Sequence, residues 1–151
     1  MQIRIDPDQL KRLTDALDRA GKSEIGGQLF GRQLAPSKFL VTEVVIQKRK
    51  GSYARFLVDL IQAARDAMKF FDRTGHDYTL HNYIGEWHSH PSFSVCPSLT
   101  DVETMRALVR DPEFRGTFAI LMIARLDSAS LSLGAWLFDP HGREAQIEVV
   151  T

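Results

Sequence analysis

The spacing of apolar residues along this chain changes between the two-residue period of strands and the three- to four-residue period of helices. Residues 2–5 alternate as a strand does, whereas Leu10, Leu13 and Leu17 recur at helical steps. Residues 117–124 form a nearly continuous apolar run, which is typical of a strand buried on both faces. The predicted strands cover about residues 2–5, 26–34, 39–46, 54–58, 81–90, 117–124, 131–138 and 145–150, and the predicted helices cover about 8–20, 60–73 and 101–110.

Turn and cap residues separate these segments. Pro36-Ser37 divides two strands and predicts a hairpin, and Gly21 is expected to end the first helix. Thr100 and Glu103 are placed as a capping box for the third helix. The order β-α-β-β-β-α-β-α-β-β-β, without repeats or linkers, predicts a single domain over residues 1–151. Its expected fold class is an α/β or α+β sandwich with a mixed sheet.

Composition and charge narrow the classes of function that are open to the chain. Its 151 residues are enough to bury a core without disulfides or a structural metal. The 19 Lys and Arg residues balance 19 Asp and Glu residues, and this zero net charge argues against a nucleic-acid partner. Cys96 is the single cysteine, which excludes an intrachain disulfide and a zinc site built from cysteines alone. With no apolar run of about 18 residues and no secretory signal, a cytoplasmic protein without a membrane partner is expected.

The segment that carries chemistry begins at His88. Because residues i and i+2 of a strand point to one face, His88 and His90 present neighbouring imidazoles, and Pro91 favours an extended backbone at His90. Asp101 lies in the first turn of the next predicted helix, where a carboxylate is favoured. Two imidazoles and one carboxylate are the protein ligands of a catalytic zinc site, which lowers the pKa of a water in its fourth position to about 7. One Zn²⁺ per chain is therefore expected.

The same residues resemble the motif of a known family. His88-x-His90, followed after seven residues by Ser98 and after two more by Asp101, is similar to the JAMM motif of the MPN-plus metallopeptidases. That motif also uses a glutamate just before a Gly-Gly strand, and Glu24 stands in this position before Gly26-Gly27. The resemblance covers most of the chain. It implies an MPN/JAMM-like mixed sheet flanked by helices, a cytidine-deaminase-like sandwich.

The resemblance also implies a role for each residue of the motif. His88, His90 and Asp101 are expected to bind Zn²⁺. Glu24 is expected to act as general base towards the attacking water and then as general acid towards the leaving amine. Ser98 is expected to donate a hydrogen bond to the oxyanion of the tetrahedral intermediate.

The sequence of residues 85–91, Gly-Glu-Trp-His-Ser-His-Pro, is similar to the corresponding segment of prokaryotic members of this family. Many of those members are associated with E1-like and E2-like conjugation enzymes, including in antiphage systems. The resemblance implies a zinc isopeptidase that hydrolyses the bond after the C-terminal glycine of a ubiquitin or ubiquitin-like protein, in deconjugation or in precursor processing. The short segment over residues 111–116 gives no support for a particular polyubiquitin linkage.

Other functions compete with this interpretation. A peptidase that processes a sulfur-carrier protein keeps the fold and the chemistry but changes the substrate. A non-catalytic MPN scaffold generally lacks parts of the motif, whereas all five positions are intact here. A zinc deaminase requires a pair of cysteines, and Cys96 has no second cysteine to join it.

Several residues around the motif keep alternative interpretations. Glu86 shares the two-residue period of the histidines and is a fourth ligand, an acceptor for an imidazole N–H or a salt-bridge partner, although the family pattern does not use it as a ligand. Cys96 has two interpretations: its thiol occupies the open zinc position, or it is an incidental loop residue. Residues 92–95 border the site and are available to a substrate tail. Core positions are expected at Trp87, Phe118, Leu121 and Met122, and surface or loop positions at His76, His81 and His141.

Overall fold

The computed structural model describes residues 1–47, 72, 81–114 and 116–151. In these ranges seven strands and two helices follow one another along the chain. They are β1 (Gln2–Ile5), α1 (Pro7–Ala20), β2 (Gly26–Ala35), β3 (Lys38–Val44), β4 (His81–Ser89), α2 (Leu99–Arg110), β5 (Ala119–Asp127), β6 (Ser130–Phe138) and β7 (Glu144–Val150). Every predicted element in the described ranges is present within a few residues of its expected bounds. The predicted strand over 54–58 and nearly all of the predicted helix over 60–73 lie outside the described residues.

Helix α1 has clear start and stop signals. Asp6 caps its first turn, because the side chain of Asp6 accepts a hydrogen bond from the backbone N–H of Asp8, and Pro7 occupies the first helical position. The helix ends at Gly21 as predicted, where the backbone φ of 57° suits glycine and the N–H donates to the carbonyl of Leu17. These caps set where the helix begins and ends.

The strands form one closed, mixed sheet in the order β1-β3-β2-β4-β5-β6-β7. Strand β1 closes it by pairing in parallel with both β3 and β7. Strands β4 and β5 are also parallel, and the other neighbours are antiparallel, including the predicted β2–β3 hairpin. The expectation of a mixed α+β fold is thereby confirmed, and no helix of the described residues is long and apolar enough to cross a membrane.

Among the described residues, each face of the sheet packs against one helix. One face forms the larger core, in which Leu13 of α1 meets Trp87 and Met122 of the sheet. The other face packs α2 through Met105 and Val109 against Leu121 and Ile123. The predicted core residues are thus confirmed: Trp87, Leu121 and Met122 are buried, and Phe118 is half-buried against the larger core.

Strand β4 lies at the centre of this arrangement, between β2 and β5, and it depends on a glycine for its approach to β5. Gly85 has a φ of 154°, and a Cβ there would overlap the carbonyl oxygen of Ile120 and lie 2.6 Å from its nitrogen. A side chain at this position would therefore push β4 away from β5. Since the two histidines follow Gly85 on β4, this contact also sets the place of the site.

We expect Gly85→Ala to destabilise the protein by roughly 3–5 kcal/mol, because backbone strain and steric overlap add at this position. The matched control is Gly21→Ala, where φ is also positive but no atom lies within 4 Å of the added Cβ. Strain alone predicts a loss of about 1–3 kcal/mol there. Urea unfolding of both variants measures the difference, and equal losses would contradict the steric argument.

Candidate metal centre

His88 and His90 lie at the carboxyl end of β4, where the strand is flanked on both sides. His88 pairs with Gly26 of β2 and with Ile123 of β5, and the N–H of His90 donates to the carbonyl of Ala124. The two residues are 1% and 8% exposed. Because the backbone is held from both sides, the imidazoles point to one face of the sheet with little freedom.

Asp101 reaches the same point from the start of α2. Ser98 is the N-cap, and its hydroxyl accepts a hydrogen bond from the N–H of Asp101, while the Asp101 carboxylate accepts one from the N–H of Ser98 at 2.6 Å. This reciprocal pair is a capping box. It holds Asp101 at the third helical position, 1% exposed, with its side chain turned back towards β4.

The predicted capping box of Thr100 and Glu103 is therefore wrong. Helix α2 begins at Leu99, two residues before the predicted start, and the box is made by Ser98 and Asp101. The shorter aspartate replaces the glutamate or glutamine that the pattern usually requires at the third helical position. Ser98 and Asp101 have the spacing of a capping box in the sequence, two residues before the pair Thr100 and Glu103.

The three side chains bring their ligand atoms together. The Nε2 atoms of His88 and His90 are 3.0 Å apart, and Oδ2 of Asp101 lies 3.6 Å and 3.7 Å from them. Zinc bonds of about 2.0–2.2 Å at tetrahedral angles separate ligand atoms by about 3.4 Å. The spacing and the donor set thus fit a metal ion with three protein ligands, and the group can hold one.

The tautomer of His90 follows from its second ring nitrogen. Nδ1 of His90 lies 2.8 Å from the carbonyl oxygen of Ser94. A carbonyl oxygen only accepts, so Nδ1 carries the proton and the lone pair of Nε2 faces the cluster. This is the form in which an imidazole binds a metal. No sequence motif pointed to the Ser94 carbonyl, because it is a backbone group in a loop.

Glu24 lies beside the cluster and outside it. Ser89, between the two histidines, binds Ile25 twice: its N–H donates to the carbonyl of Ile25, and its hydroxyl accepts from the N–H of Ile25 at 3.0 Å. These bonds continue the register that pairs Gly26 with His88. Glu24 directly precedes Ile25, is half-buried, and is not among the possible metal ligands found in the described residues.

Ser98 and Cys96 are both exposed at the entrance to α2. The Ser98 hydroxyl uses an oxygen lone pair towards the N–H of Asp101, at 3.2 Å, and its own hydrogen stays available for donation outward. Cys96 is a free, exposed thiol, and the cluster of possible metal ligands found among the described residues does not include it. The predicted role of Ser98 stays a prediction.

Glu86 does not join the cluster of possible metal ligands among the described residues. It is buried beneath the histidines, and its Oε1 accepts a hydrogen bond from the hydroxyl of Tyr83 at 2.9 Å. Burial raises the pKa of the Glu86 carboxyl to about 8, against a smaller lowering by the Tyr83 hydroxyl. Burial, followed by the Glu86 charge, likewise raises the pKa of Tyr83.

The two-residue period of β4 does not predict the contact between Tyr83 and Glu86. Residues three apart on a regular strand face opposite sides, but the β2–β4 register shifts between Leu29 and Phe30, opposite Gly85. The shift brings Tyr83 and Glu86 to the same side. Of the remaining histidines, His141 is exposed, His81 is the first residue of β4, and His76 lies outside the described residues.

The comparison with protein families identifies the family of this chain. The family model of the prokaryotic homologs of the JAB domain matches residues 7–137 of the chain. The chain belongs to this family. The match spans both helices and the whole His88–Asp101 segment, so the predicted family resemblance is confirmed. No curated protein matches the chain.

Solved structures show the same fold. A protein of Desulfitobacterium hafniense is 19% identical, with a TM-score of 0.63 over 98% of this chain and 91% of that chain. A protein from Salinibacter ruber is 18% identical, with a TM-score of 0.54 over 97% of this chain and 90% of that chain. A JAB1/MPN domain protein from Archaeoglobus fulgidus is 20% identical, with a TM-score of 0.49 over 99% of this chain and 97% of that chain. The first two likenesses place this JAB domain in a shared fold.

His88→Ala is expected to lower the zinc content of the purified JAB domain to below one tenth of an equivalent, because it removes one of three ligands. The matched control is His141→Ala, which removes an exposed histidine in the turn before β7. Elemental analysis after dialysis measures both. An unchanged metal content in His88→Ala would remove His88 from the ligand set.

The raised pKa of Glu86 predicts a pH dependence of folding in chelator-treated protein. The unfolded chain releases the proton near the ordinary value of 4.5, whereas the folded protein keeps it until about pH 8. Between these values the folded state binds more protons, so the free energy of unfolding falls as pH rises, by at most about 1.4 kcal/mol per pH unit. Glu86→Gln should lack this fall. Urea unfolding from pH 5 to pH 8 measures the free energy of unfolding of both proteins. Equal slopes of this free energy against pH in the wild type and in Glu86→Gln would contradict the prediction.

Proposed function

We propose that this JAB domain is a zinc-dependent peptidase that hydrolyses the bond after the C-terminal glycine of a ubiquitin-like protein. The observation that carries the proposal is the buried group of His88, His90 and Asp101, whose ligand atoms have the spacing of a three-ligand metal site. Burying three ionisable groups at one point costs free energy, which favours a functional role for the group over a purely structural one.

His88, His90 and Asp101 hold the metal in this proposal. When bound, zinc supplies Lewis acidity and lowers the pKa of a coordinated water. The protein prepares the ligands for it: the Ser94 carbonyl fixes the tautomer of His90, and the Ser98 N–H orients the carboxylate of Asp101. Both supporting groups belong to the backbone, so their position depends on the fold of the loop between β4 and α2.

Glu24 is the general base of the proposed reaction. Its carboxylate takes the proton from the attacking water and delivers it to the nitrogen of the leaving amine, so that one residue serves both proton transfers. The two hydrogen bonds between Ile25 and Ser89 hold the backbone next to Glu24 against the segment that carries the histidines. This arrangement supports the role without making Glu24 a ligand.

Ser98 stabilises the oxyanion of the tetrahedral intermediate. Its hydroxyl oxygen accepts from the N–H of Asp101, which leaves the hydroxyl hydrogen free to donate to the substrate. A donor that is already oriented loses little freedom when charge develops on the carbonyl oxygen. Removing such a donor typically costs about 10²–10³ in kcat.

A flexible, extended protein tail is the proposed substrate. Phe93 is 66% exposed beside the site, with its ring centroid 6.4 Å from that of His90, and Leu99 is 84% exposed next to Ser98. These two apolar side chains flank the metal centre and are available to an extended chain. The sequence of residues 85–91 resembles prokaryotic members of the family. This resemblance supports a ubiquitin-like substrate, E1-like and E2-like partners and a cytoplasmic setting.

Glu24→Ala is expected to lower kcat by about 10²–10⁴ while zinc content and far-UV circular dichroism stay at their wild-type values. The substrate is a ubiquitin-like protein whose terminal glycine is extended by a short peptide, and mass spectrometry identifies the cut. Glu103→Ala, which removes an exposed carboxylate from α2, serves as control and should retain full activity.

Two outcomes would count against the proposal. Full activity in Glu24→Ala would remove the general base. Absence of cleavage by the zinc-loaded wild type, on ubiquitin-like and sulfur-carrier fusions alike, would favour a non-catalytic role. Cleavage of the sulfur-carrier fusion alone would keep the chemistry and change the substrate.

A further inference from the structure

The loop over residues 91–97, which we call the ligand loop, joins two predicted ligands of the metal centre. It leaves β4 directly after His90 and ends at Ser98, the cap that orients Asp101. The position of this loop therefore sets the distance between His90 and Asp101. The side chains of Ser92, Phe93 and Ser94 are all exposed and contribute little to holding the loop in place.

The loop reaches across the sheet to β6, two strands away from β4. In the cross-strand register His88 pairs with Ile123, and Ile123 pairs with Gly134 of β6. Two strand spacings correspond to about 10 Å. The half-buried Val95 packs into the apolar cluster between α2 and this face of the sheet.

Gly134 lets the loop approach the sheet more closely than any other residue would. A Cβ at this position would overlap the carbonyl oxygen of Val95 and lie 2.6 Å from the ring of Trp136. Real Cβ atoms do not approach backbone oxygens this closely, so a side chain there would lift the loop from β6. Val95 directly follows Ser94, whose carbonyl accepts from Nδ1 of His90 at 2.8 Å.

Arg125 of β5 supports the same loop from the side. Its Nη1 donates to the carbonyl of Phe93 at 3.3 Å, and its Nη2 pairs with the carboxylate of Asp127. The carbonyls of three successive loop residues, Phe93, Ser94 and Val95, thus meet β5, His90 and β6 in turn. The Phe93 and Ser94 carbonyls accept hydrogen bonds, and the Val95 carbonyl lies closely against Gly134.

We propose that Gly134 is a positioning residue of the metal centre, which acts by seating the ligand loop so that the Ser94 carbonyl holds His90 in its metal-binding tautomer. Gly134 offers no ligand atom, and it acts through Val95 and Ser94. The inference rests on the metal site of the proposed function but not on peptidase activity. It predicts that metal affinity depends on a glycine about 10 Å from the ligands.

The test is the zinc affinity of Gly134→Ala, measured by competition with a chromophoric chelator. Loss of a group that orients a ligating histidine typically weakens metal binding by 10- to 100-fold, so a change of about this size is expected. The matched control is Gly31→Ala, where the added Cβ would overlap the carbonyl of Leu40 at a distance from the site. Its zinc affinity should stay within about twofold of the wild type.

Wild-type zinc affinity in folded Gly134→Ala would overturn the proposal. An equal loss in Gly31→Ala would also overturn it, because the effect would then be general destabilisation. A Cβ at Gly134 would overlap both the Val95 carbonyl and the Trp136 ring. The single variant Trp136→Ala and the double variant Gly134→Ala/Trp136→Ala separate these two effects. The double variant should bind zinc at least about tenfold more weakly than Trp136→Ala, and equal affinities would assign the effect to the Trp136 ring instead of the loop.

Arg125→Ala covers the case in which Gly134→Ala does not fold. Arg125 is a partly exposed residue, and losing its bond to the Phe93 carbonyl should weaken zinc binding by about two- to tenfold. Arg106→Ala, which breaks a surface pair with Glu144 away from the loop, is its control. Unchanged affinity in Arg125→Ala would contradict a loop seated by its backbone.

A second measurement separates this inference from the proposed function. Long-range ¹H–¹⁵N spectra of the metal-free protein report which imidazole nitrogen of His90 carries the proton. The wild type should show protonated Nδ1 and Gly134→Ala a mixture of tautomers, and identical spectra would overturn the inference. A wild type that binds zinc but cleaves no substrate sinks the proposed function alone, because the zinc affinity and the tautomer of His90 are still measured.

Discussion

The hydrogen bond from the Ser98 N–H to Oδ2 of Asp101, at 2.6 Å, is the constraint on which the site depends. It starts helix α2 and at the same time turns the carboxylate towards β4. A buried carboxylate is costly unless charged or hydrogen-bonding groups surround it. Here the helix cap and two imidazoles surround the same oxygen, so the end of the loop, the start of the helix and the third ligand are fixed together.

The pairing of β4 with a strand on each side positions the two imidazoles. Strand β4 is paired on both sides, and its histidines have almost no contact with solvent. The Ser94 carbonyl then determines which nitrogen of His90 faces inward. The site is therefore built mainly from backbone groups around three side chains, and Glu86 with Tyr83 forms a separate buried pair below it.

Much of this could be predicted from sequence because it follows local periods. The two-residue spacing placed His88 and His90 on one face, and the apolar run placed β5 in the core. The bounds of α2 were missed because two possible caps, Ser98 and Thr100, lie two residues apart, and only the structure shows which side chain bonds the helix. The JAB family match extends the same interpretation to most of the chain.

Long-range features could not be predicted from the sequence, because they depend on where the backbone bends. The register shift opposite Gly85 reverses the expected side of Tyr83, and no period records it. The loop contact at Gly134 requires knowing that residue 95 lies over β6, which is a property of the closed sheet. Glycine in a strand signals a close approach, but it does not name the partner.

The distribution of the site along the chain has a consequence for how the protein assembles. The three predicted ligands lie within 13 residues of one another, whereas Glu24 is 64 residues before His88. Closing the short loop between the ligands costs little conformational entropy, and the long closure to Glu24 costs more. The metal centre is thus a feature of low contact order and the base one of high contact order. We therefore expect β4, α2 and β5 to bring the three proposed ligands together at a lower entropic cost than the docking of β2 with the proposed base Glu24.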